Sequence, residues 1–304
     1  MKNQNLLNIL KRFKIEHGIE DISEKNLKKF IITIRSKQKK SIKYLIKICL
    51  SNFALKLNKN EEKGYLFFQN MKISKIQFPI YRKIYKSNKI SLHKINFIKG
   101  KKLNYLQFAK LKPFFYKTMA IKKKINLSKY SNVINNNFKN LYSFNINKDL
   151  NKDYKKIKKK FKGEVYVSFS HGDLVPWNVI INKKNNLYLY DLEYFSKKRI
   201  YLYDFIYWLI SPIFLKFYFI LNIGINFEFL LTKYLNFKLK QMNILIEKNE
   251  LRKYFALYLL EQKYFYKLPD NFKNKKILFS LKDIYKSKKL SDCYSKQLNL
   301  ILKS

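Results

Sequence analysis

The sequence predicts an α+β protein of two lobes, a small strand-rich N-terminal lobe over 1–100 and a larger, mainly helical lobe over 101–304. Three observations carry that expectation. The first third holds short apolar, β-branched runs such as SIKYLIKICL at 41–50, which suit buried strands. A strand–turn–strand pattern surrounds a polar loop at 165–195, in VYVSFSHGDLVPWNVIINKKNNLYLYDLEYF. Everything after Tyr203 has the Leu-, Phe-, Tyr- and Lys-rich periodicity of helices.

The elements follow in order. A helix is expected near the start of 1–40, and FIITI at 30–34 reads as a hairpin partner of 41–50 across the polar turn RSKQKKS. Residues 59–71, KNEEKGYLFFQNM, read as a helix with one apolar face. ISLHKINFIKG at 90–100 reads as a strand that ends at Gly100. Helical stretches are expected near 103–123 and 135–142, then a short strand, the polar loop, a strand ending near Ile181, a Lys-Lys-Asn-Asn turn and the strand LYLYDLEY.

Composition narrows the function classes. The 304 residues carry 65 Lys+Arg against 20 Asp+Glu, a formal net charge of +45. At 47% hydrophobic and 17% aromatic the chain is too apolar to be disordered. Cys49 and Cys293 cannot build a disulfide framework and suit a reducing compartment. No apolar run of signal-peptide type follows the first Met, so the expected location is the cytoplasm. Of the basic residues only Arg12, Arg35, Arg82, Arg199 and Arg252 are arginine, and arginine is the usual tool for bidentate phosphate and base contacts. The charge therefore reads first as a solvated lysine coat, and nucleic acid is not an expected partner. The 19-residue stretch 205–223 has one charge, Lys216, and is interrupted by Pro212. It reads as a buried helix, against the alternative of peripheral contact with the inner face of the membrane.

The chemistry sits in His171-Gly172-Asp173-Leu174-Val175-Pro176-Trp177-Asn178 followed by Asp191-Leu192-Glu193. The hairpin between the strands folds Asp191 back beside Asn178, so three oxygen-bearing side chains meet at one mouth. One carboxylate and one amide oxygen suffice for Mg²⁺ where phosphates supply the remaining ligands. A further carboxylate can accept the proton of an attacking hydroxyl. His171 reads as a structural histidine bonded to backbone, and Trp177 as a packing residue.

With H-G-D-x-x-x-x-N, a following D-x-E and the later Tyr203-Asp204-Phe205, the chain resembles the aminoglycoside phosphotransferase and choline kinase superfamily, small-molecule kinases with a two-lobed, protein-kinase-like fold. The resemblance implies that Asp173 is the catalytic base, that Asn178 and Asp191 bind magnesium, and that Asp204 supports the loop. It also implies a strand lysine for the ATP phosphates and a helix glutamate to hold it. Lys47 fits the first, flanked by apolar residues, with Lys43 as its rival. Glu61 fits the second, on one helical face with Tyr65 and Phe68, and ranks above Glu62. The strand 90–100 would lead into the hinge that binds adenine.

One departure stands out: the only glycine upstream of Lys47 is Gly18, so no glycine-rich phosphate loop is present. The turn 36–41 is the candidate substitute. The expected activity is ATP- and Mg²⁺-dependent transfer of the γ-phosphate to a hydroxyl of a small molecule. The basic surface favours a sugar or glycan precursor over a cationic antibiotic, with Glu193 assisting at the metal or shaping the acceptor site. The alternative is a kinase-like nucleotide-binding or scaffold protein without transfer activity.

Overall fold

The computed structural model describes residues 8–12, 19–25, 29–35, 42–142, 147–217, 227–271 and 281–303. A short helix α1 (8–12) precedes strands β1 (Ile19–Lys25), β2 (Lys29–Arg35) and β3 (Ile42–Cys49). Helix α2 (Asn52–Gln69), β4 (Ile76–Gln77), β5 (Tyr81–Lys86), β6 (Ser91–Asn96) and β7 (Lys101–Lys102) follow. Next come a 3₁₀ segment (Tyr105–Leu111), α3 (Lys112–Ala120), β8 (Lys123–Asn126), α4 (Leu127–Tyr142) and α5 (Asn147–Lys160). Then come β9 (Glu164–Ser170), β10 (Val179–Ile181), β11 (Leu187–Leu189) and β12 (Ser196–Ile200). Helices α6 (Tyr203–Phe217), α7 (Phe227–Gln241), α8 (Lys248–Asn271) and α9 (Leu281–Lys303) complete the chain.

The N-terminal strands form one antiparallel sheet in the order β1-β2-β3-β6-β5. Alternation decides its two faces. Phe30, Ile32, Ile34, Ile46, Ile48 and Leu92 cluster with Leu10 in a small separate core. Ile31, Lys47 and His93 stand opposite one another on the other face, since Lys47 pairs with Ile31 on one side and with His93 on the other.

Helix α2 begins at Asn52, seven residues before the expected start, because the Ser51 hydroxyl caps it by accepting from the Ala54 amide at 3.2 Å. Its buried face, Phe53, Leu57, Glu61, Tyr65 and Phe68, joins the main core. Several elements depart from the sequence reading, β1, α5 and β12 among them. The expected helix near 103–123 ends at Ala120, and Lys123–Asn126 instead pairs with β9. Strand β5 went unread, since Pro79 precedes it and most of its side chains face solvent.

The main core is aromatic and helical. Trp208, Tyr254, Phe255, Tyr258 and Tyr294 are fully buried where α6, α8 and α9 pack together. Residues 205–210 lie inside this core, as the buried-helix reading expected, while 218–223 fall outside the described residues. Among the described residues no helix is long and apolar enough to cross a membrane.

Candidate active site

The loop after β9 is held from below by Asp204 at the start of α6. Its carboxylate accepts from the His171 amide at 2.6 Å and from the Gly172 amide at 2.9 Å. Burial pushes the Asp204 carboxyl up to about 6, against the pull of those two donors. Gly172 has φ +89°, and a Cβ there would lie 2.0 Å from the Tyr194 carbonyl oxygen, so only glycine fits the turn. His171 is fully buried. Its Nε2 lies 2.8 Å from the Tyr190 carbonyl oxygen, and its Nδ1 accepts from the Asp173 amide at 3.3 Å. These contacts set the tautomer with the proton on Nε2. Burial lowers its pKa to about 4, so it stays neutral, as the structural reading of this histidine expected.

Asp173 sits at the mouth of the loop. One carboxylate oxygen accepts from the Tyr207 hydroxyl at 2.8 Å and the other from Asn178 Nδ2 at 3.0 Å. Burial, reinforced by the charge of Asp191, pushes Asp173 up to about 7. Asn178 Nδ2 also donates to the Asp173 carbonyl at 2.9 Å, which leaves the amide oxygen as the group able to meet a cation. The β10–β11 hairpin brings Asp191 back to the same mouth, and the Tyr190 amide donates to the Asn178 carbonyl at 2.9 Å. Asp191 adopts φ +60°, a left-handed conformation that aspartate tolerates better than most residues. Trp177 is 50% exposed, so the packing role expected of it does not hold.

The N-terminal contribution is an ion cluster. Lys47 Nζ donates to Glu61 Oε2 at 2.6 Å and to Glu193 Oε1 at 2.8 Å, and lies 3.5 Å from Asp191 Oδ1. Burial works against the lysine charge, but Glu193, Glu61 and Asp191 outweigh it and raise its pKa well above the ordinary value. Burial raises Glu61 despite the adjacent lysine, whereas Lys47 and Lys29 together overcome burial and lower Glu193. Glu62, the rival of Glu61, points instead to Lys86 at 3.0 Å and Lys83 at 3.7 Å on β5. The side chain of Lys43 lies outside the described residues.

The residues Lys47, Glu61, Asp191, Asn178 and Asp173 thus converge on one cleft. Glu61, Asp191 and Glu193 offer carboxylate oxygens within 4.8 Å of one another. Lys47 already fills the space among those three acids, so Glu61 and Glu193 serve the lysine. Glu193 anchors Lys47 together with Glu61. Asp191 differs. Its side chain is 39% exposed, and its shielded Oδ1 makes no hydrogen bond. Burial and Glu193 raise its pKa. That oxygen, which meets only the Lys47 ammonium at 3.5 Å, and the amide oxygen of Asn178 suit a hard divalent cation.

Three functional contacts had no clear sequence signal. Asn60 donates to the Glu193 carbonyl at 2.9 Å and the Phe195 carbonyl at 2.8 Å, tying α2 to the chain beyond Asp191. Tyr207 lies one helical turn after Asp204, a spacing that could have pointed to it. Lys29 reaches Glu193 Oε1 at 2.6 Å. In the hinge region, the Ile98 amide donates to the Tyr190 hydroxyl at 3.1 Å. Gly100 is required by close approach, since a Cβ there would lie 2.3 Å from the Ile181 carbonyl oxygen.

The turn 36–41 lies outside the described residues. Arg35 pairs with Ile42, four residues and roughly 13 Å along the strand from the Ile31–Lys47 pair. The end of β2 that enters the cleft is Lys29, whose Nζ reaches Glu193.

No family model and no curated protein matches the sequence. Solved structures do. The GDP complex of an aminoglycoside 2'-phosphotransferase-IIIa mutant matches at TM-score 0.59 and 12% identity, over 97% of this chain and 98% of that one. A ternary complex of a thermostable mutant of aminoglycoside phosphotransferase APH(4)-Ia with AMP-PNP and hygromycin B matches at 0.51 and 11%, over 95% and 98%. A Plasmodium vivax ethanolamine kinase matches at 0.51 and 13%, over 91% of this chain and 82% of that one. At such identities the likeness is one of fold, and the fold is the two-lobed, kinase-like α+β architecture.

Proposed function

We propose that the chain is a phosphotransferase that moves the γ-phosphate of ATP to a hydroxyl of a small molecule, with Mg²⁺ required. The observation that carries this reading is the Lys47–Glu61 pair with Asp191 beside it, facing a loop whose Asp173 carboxyl is pushed up to about 7. A group near that value is half ionised at neutral pH and suits proton transfer.

The lobe over 1–100 supplies the nucleotide side and 101–304 the catalytic and acceptor side. Lys47, held by Glu61, positions the nucleotide phosphates. Asn178 and Asp191 hold the magnesium ion, which when bound neutralises charge on the phosphates. Asp173 accepts the proton of the acceptor hydroxyl. Tyr207 and Asn178 fix both oxygens of that carboxylate, so it meets the hydroxyl in one orientation. Asp204 holds the loop amides and takes no part in the transfer.

The acceptor is a neutral polyhydroxylated molecule such as a sugar or glycan precursor. Beside Asp173 the charged groups that act on it are Asp191 and Glu193, both on the metal and lysine side. Tyrosines also surround it: Tyr207, which donates to it, and Tyr105 and Tyr266, whose pKa values Asp173 helps to raise. Rings and hydroxyls of this kind suit a sugar face better than a polycation.

The first test is thermal unfolding with Mg·ATP for the wild type and Asp191→Ala. A ligand at 100 Kd stabilises the folded state by about 2.7 kcal/mol. A magnesium-dependent shift, lost in the variant, supports the nucleotide site. The absence of any shift in the wild type at millimolar Mg·ATP overturns it and favours a scaffold without transfer activity.

A further inference from the structure

Lys29 stands out among the cations of the cleft. Its Nζ lies 2.6 Å from Glu193 Oε1, the same oxygen that takes Lys47 Nζ at 2.8 Å. Glu193 shares Lys47 with Glu61, and Lys29 is the second cation on that carboxylate. The two lysines also differ in access, for the Lys29 side chain is 16% exposed and that of Lys47 is 6%. If Lys29 leaves, Glu193 keeps its partner.

Register brings Lys29 to the phosphate side. Ile31 pairs with Lys47, and Lys29 lies two residues away along β2, so its side chain shares the Lys47 face at the cleft end of the sheet. The sequence between β1 and β2, Asn26-Leu27-Lys28, has no glycine. A glycine-rich loop binds phosphate by bringing backbone N–H groups close, and side chains at every position oppose that approach. A mobile ammonium at the start of β2 supplies the same stabilisation by charge.

We propose that Lys29 is a nucleotide-phosphate-binding residue, which exchanges Glu193 for a terminal phosphate oxygen when nucleotide enters the cleft. This rests on the nucleotide site proposed above. The exchange replaces one charge-assisted hydrogen bond by another, while Glu61 and Glu193 keep Lys47 in place.

The test is calorimetric titration of wild type, Lys29→Met and Lys29→Arg with Mg·ATP and with adenosine. Lys29→Met should weaken Mg·ATP about tenfold and leave adenosine unchanged, with Lys29→Arg close to wild type. Unchanged Mg·ATP affinity in Lys29→Met overturns the proposal, as does an equal loss for both ligands, which would mark a structural pin. Wild type that binds adenosine and Mg·ATP alike keeps a nucleoside site and overturns Lys29 alone. Wild type that binds neither overturns the nucleotide site as well. A measurement on the wild type covers the case in which Lys29→Met fails to fold. Amine labelling read by mass spectrometry should show Lys29 protected by Mg·ATP and not by adenosine, and equal labelling under both conditions overturns the proposal.

Discussion

The loop His171–Asn178 and the cluster around Lys47 hold their carboxylates in opposite ways. In the loop each acid is gripped by neutral donors: Asp204 by two backbone amides, Asp173 by a phenol and an amide side chain. In the cluster Glu61 and Glu193 are gripped by ammonium groups, with Lys47 shared between them. Neutral donors leave Asp173 high, near 7, while two lysines drive Glu193 down. A group that must take up a proton belongs in the first setting; in the second, Glu193 stays charged under two lysines, while burial raises Glu61, which has one, to about 7. The difference also separates two kinds of failure. Damage to the loop should cost turnover, and damage to the cluster should cost stability.

The largest effect expected from this contrast is at Asp173. Asp173→Asn should lower phosphoryl transfer by about 10³-fold, some 4 kcal/mol of barrier, with the Mg·ATP thermal shift kept. Single-turnover transfer beside thermal unfolding checks both halves. Transfer within tenfold of wild type would remove Asp173 from the role of base. At Lys47 the order reverses. Lys47→Met strands buried Glu61 and leaves Glu193 with Lys29, and breaking a buried pair on one side costs about 3–5 kcal/mol of stability. Denaturant unfolding should show it in the ligand-free protein, and a loss under 1 kcal/mol would mean that Glu61 neutralises itself by taking a proton.

Gly172→Ala sharpens the comparison from the backbone. The added Cβ meets the Tyr194 carbonyl oxygen at 2.0 Å in a left-handed turn. It should cost about 2 kcal/mol of stability. It should also move Asp173 and lower turnover at saturating substrate, so that this one loop substitution costs both. Unfolding and kcat measured on the same preparation check this, and unchanged kcat would show that Asp173 is placed from Asn178 and Tyr207 alone.

The same contrast explains what the sequence made legible. His171, Asp173, Asn178 and Asp191 fall within 21 residues, and one loop and one hairpin bring them together, so local spacing was enough. The fold was legible for the same reason wherever strands alternated or apolar faces repeated, as in β2, β3 and α2. The cluster is assembled from β2, β3, α2 and the segment after β11, so its geometry depends on long-range packing. Lys47 stood out only through its apolar neighbours. In a chain where about one residue in five is lysine, nothing marked Lys29. The turn 36–41, a polar run beside the Lys47 strand, lies outside the described residues. β5 and β8 escaped because half-exposed, lysine-bearing strands lack an apolar period.

Two histidines, one in each region, give the smallest and most selective test. His171 is satisfied at both ring nitrogens, whereas His93, opposite Lys47 on β6, is buried with neither nitrogen bonded. Burial lowers both to about 4. At His93, Glu62 pulls the other way, while Lys47, Lys86 and Lys83 add to burial. The unfolded chain takes up these protons near 6.5 and the folded chain only near 4. Their contribution to stability is therefore complete above pH 6.5 and is lost as the pH falls toward 4. Asp173 and Asp204, raised to about 7 and about 6, act in the opposite sense, favouring the folded state at acid pH and losing that contribution as the pH rises through those values. The net curve mixes the two, so the histidines are read by their own imidazole NMR signals, which should not shift between pH 7 and 5.5. Substitution then separates them. His171→Leu leaves the Tyr190 carbonyl and the Asp173 amide without a partner and should cost about 1–3 kcal/mol. His93→Leu removes two unsatisfied nitrogens from an apolar site and should be neutral or slightly stabilising. Equal losses at both positions would mean that the sheet beneath Lys47 depends on polar contacts as strongly as the loop does, and the contrast between the two regions would fall.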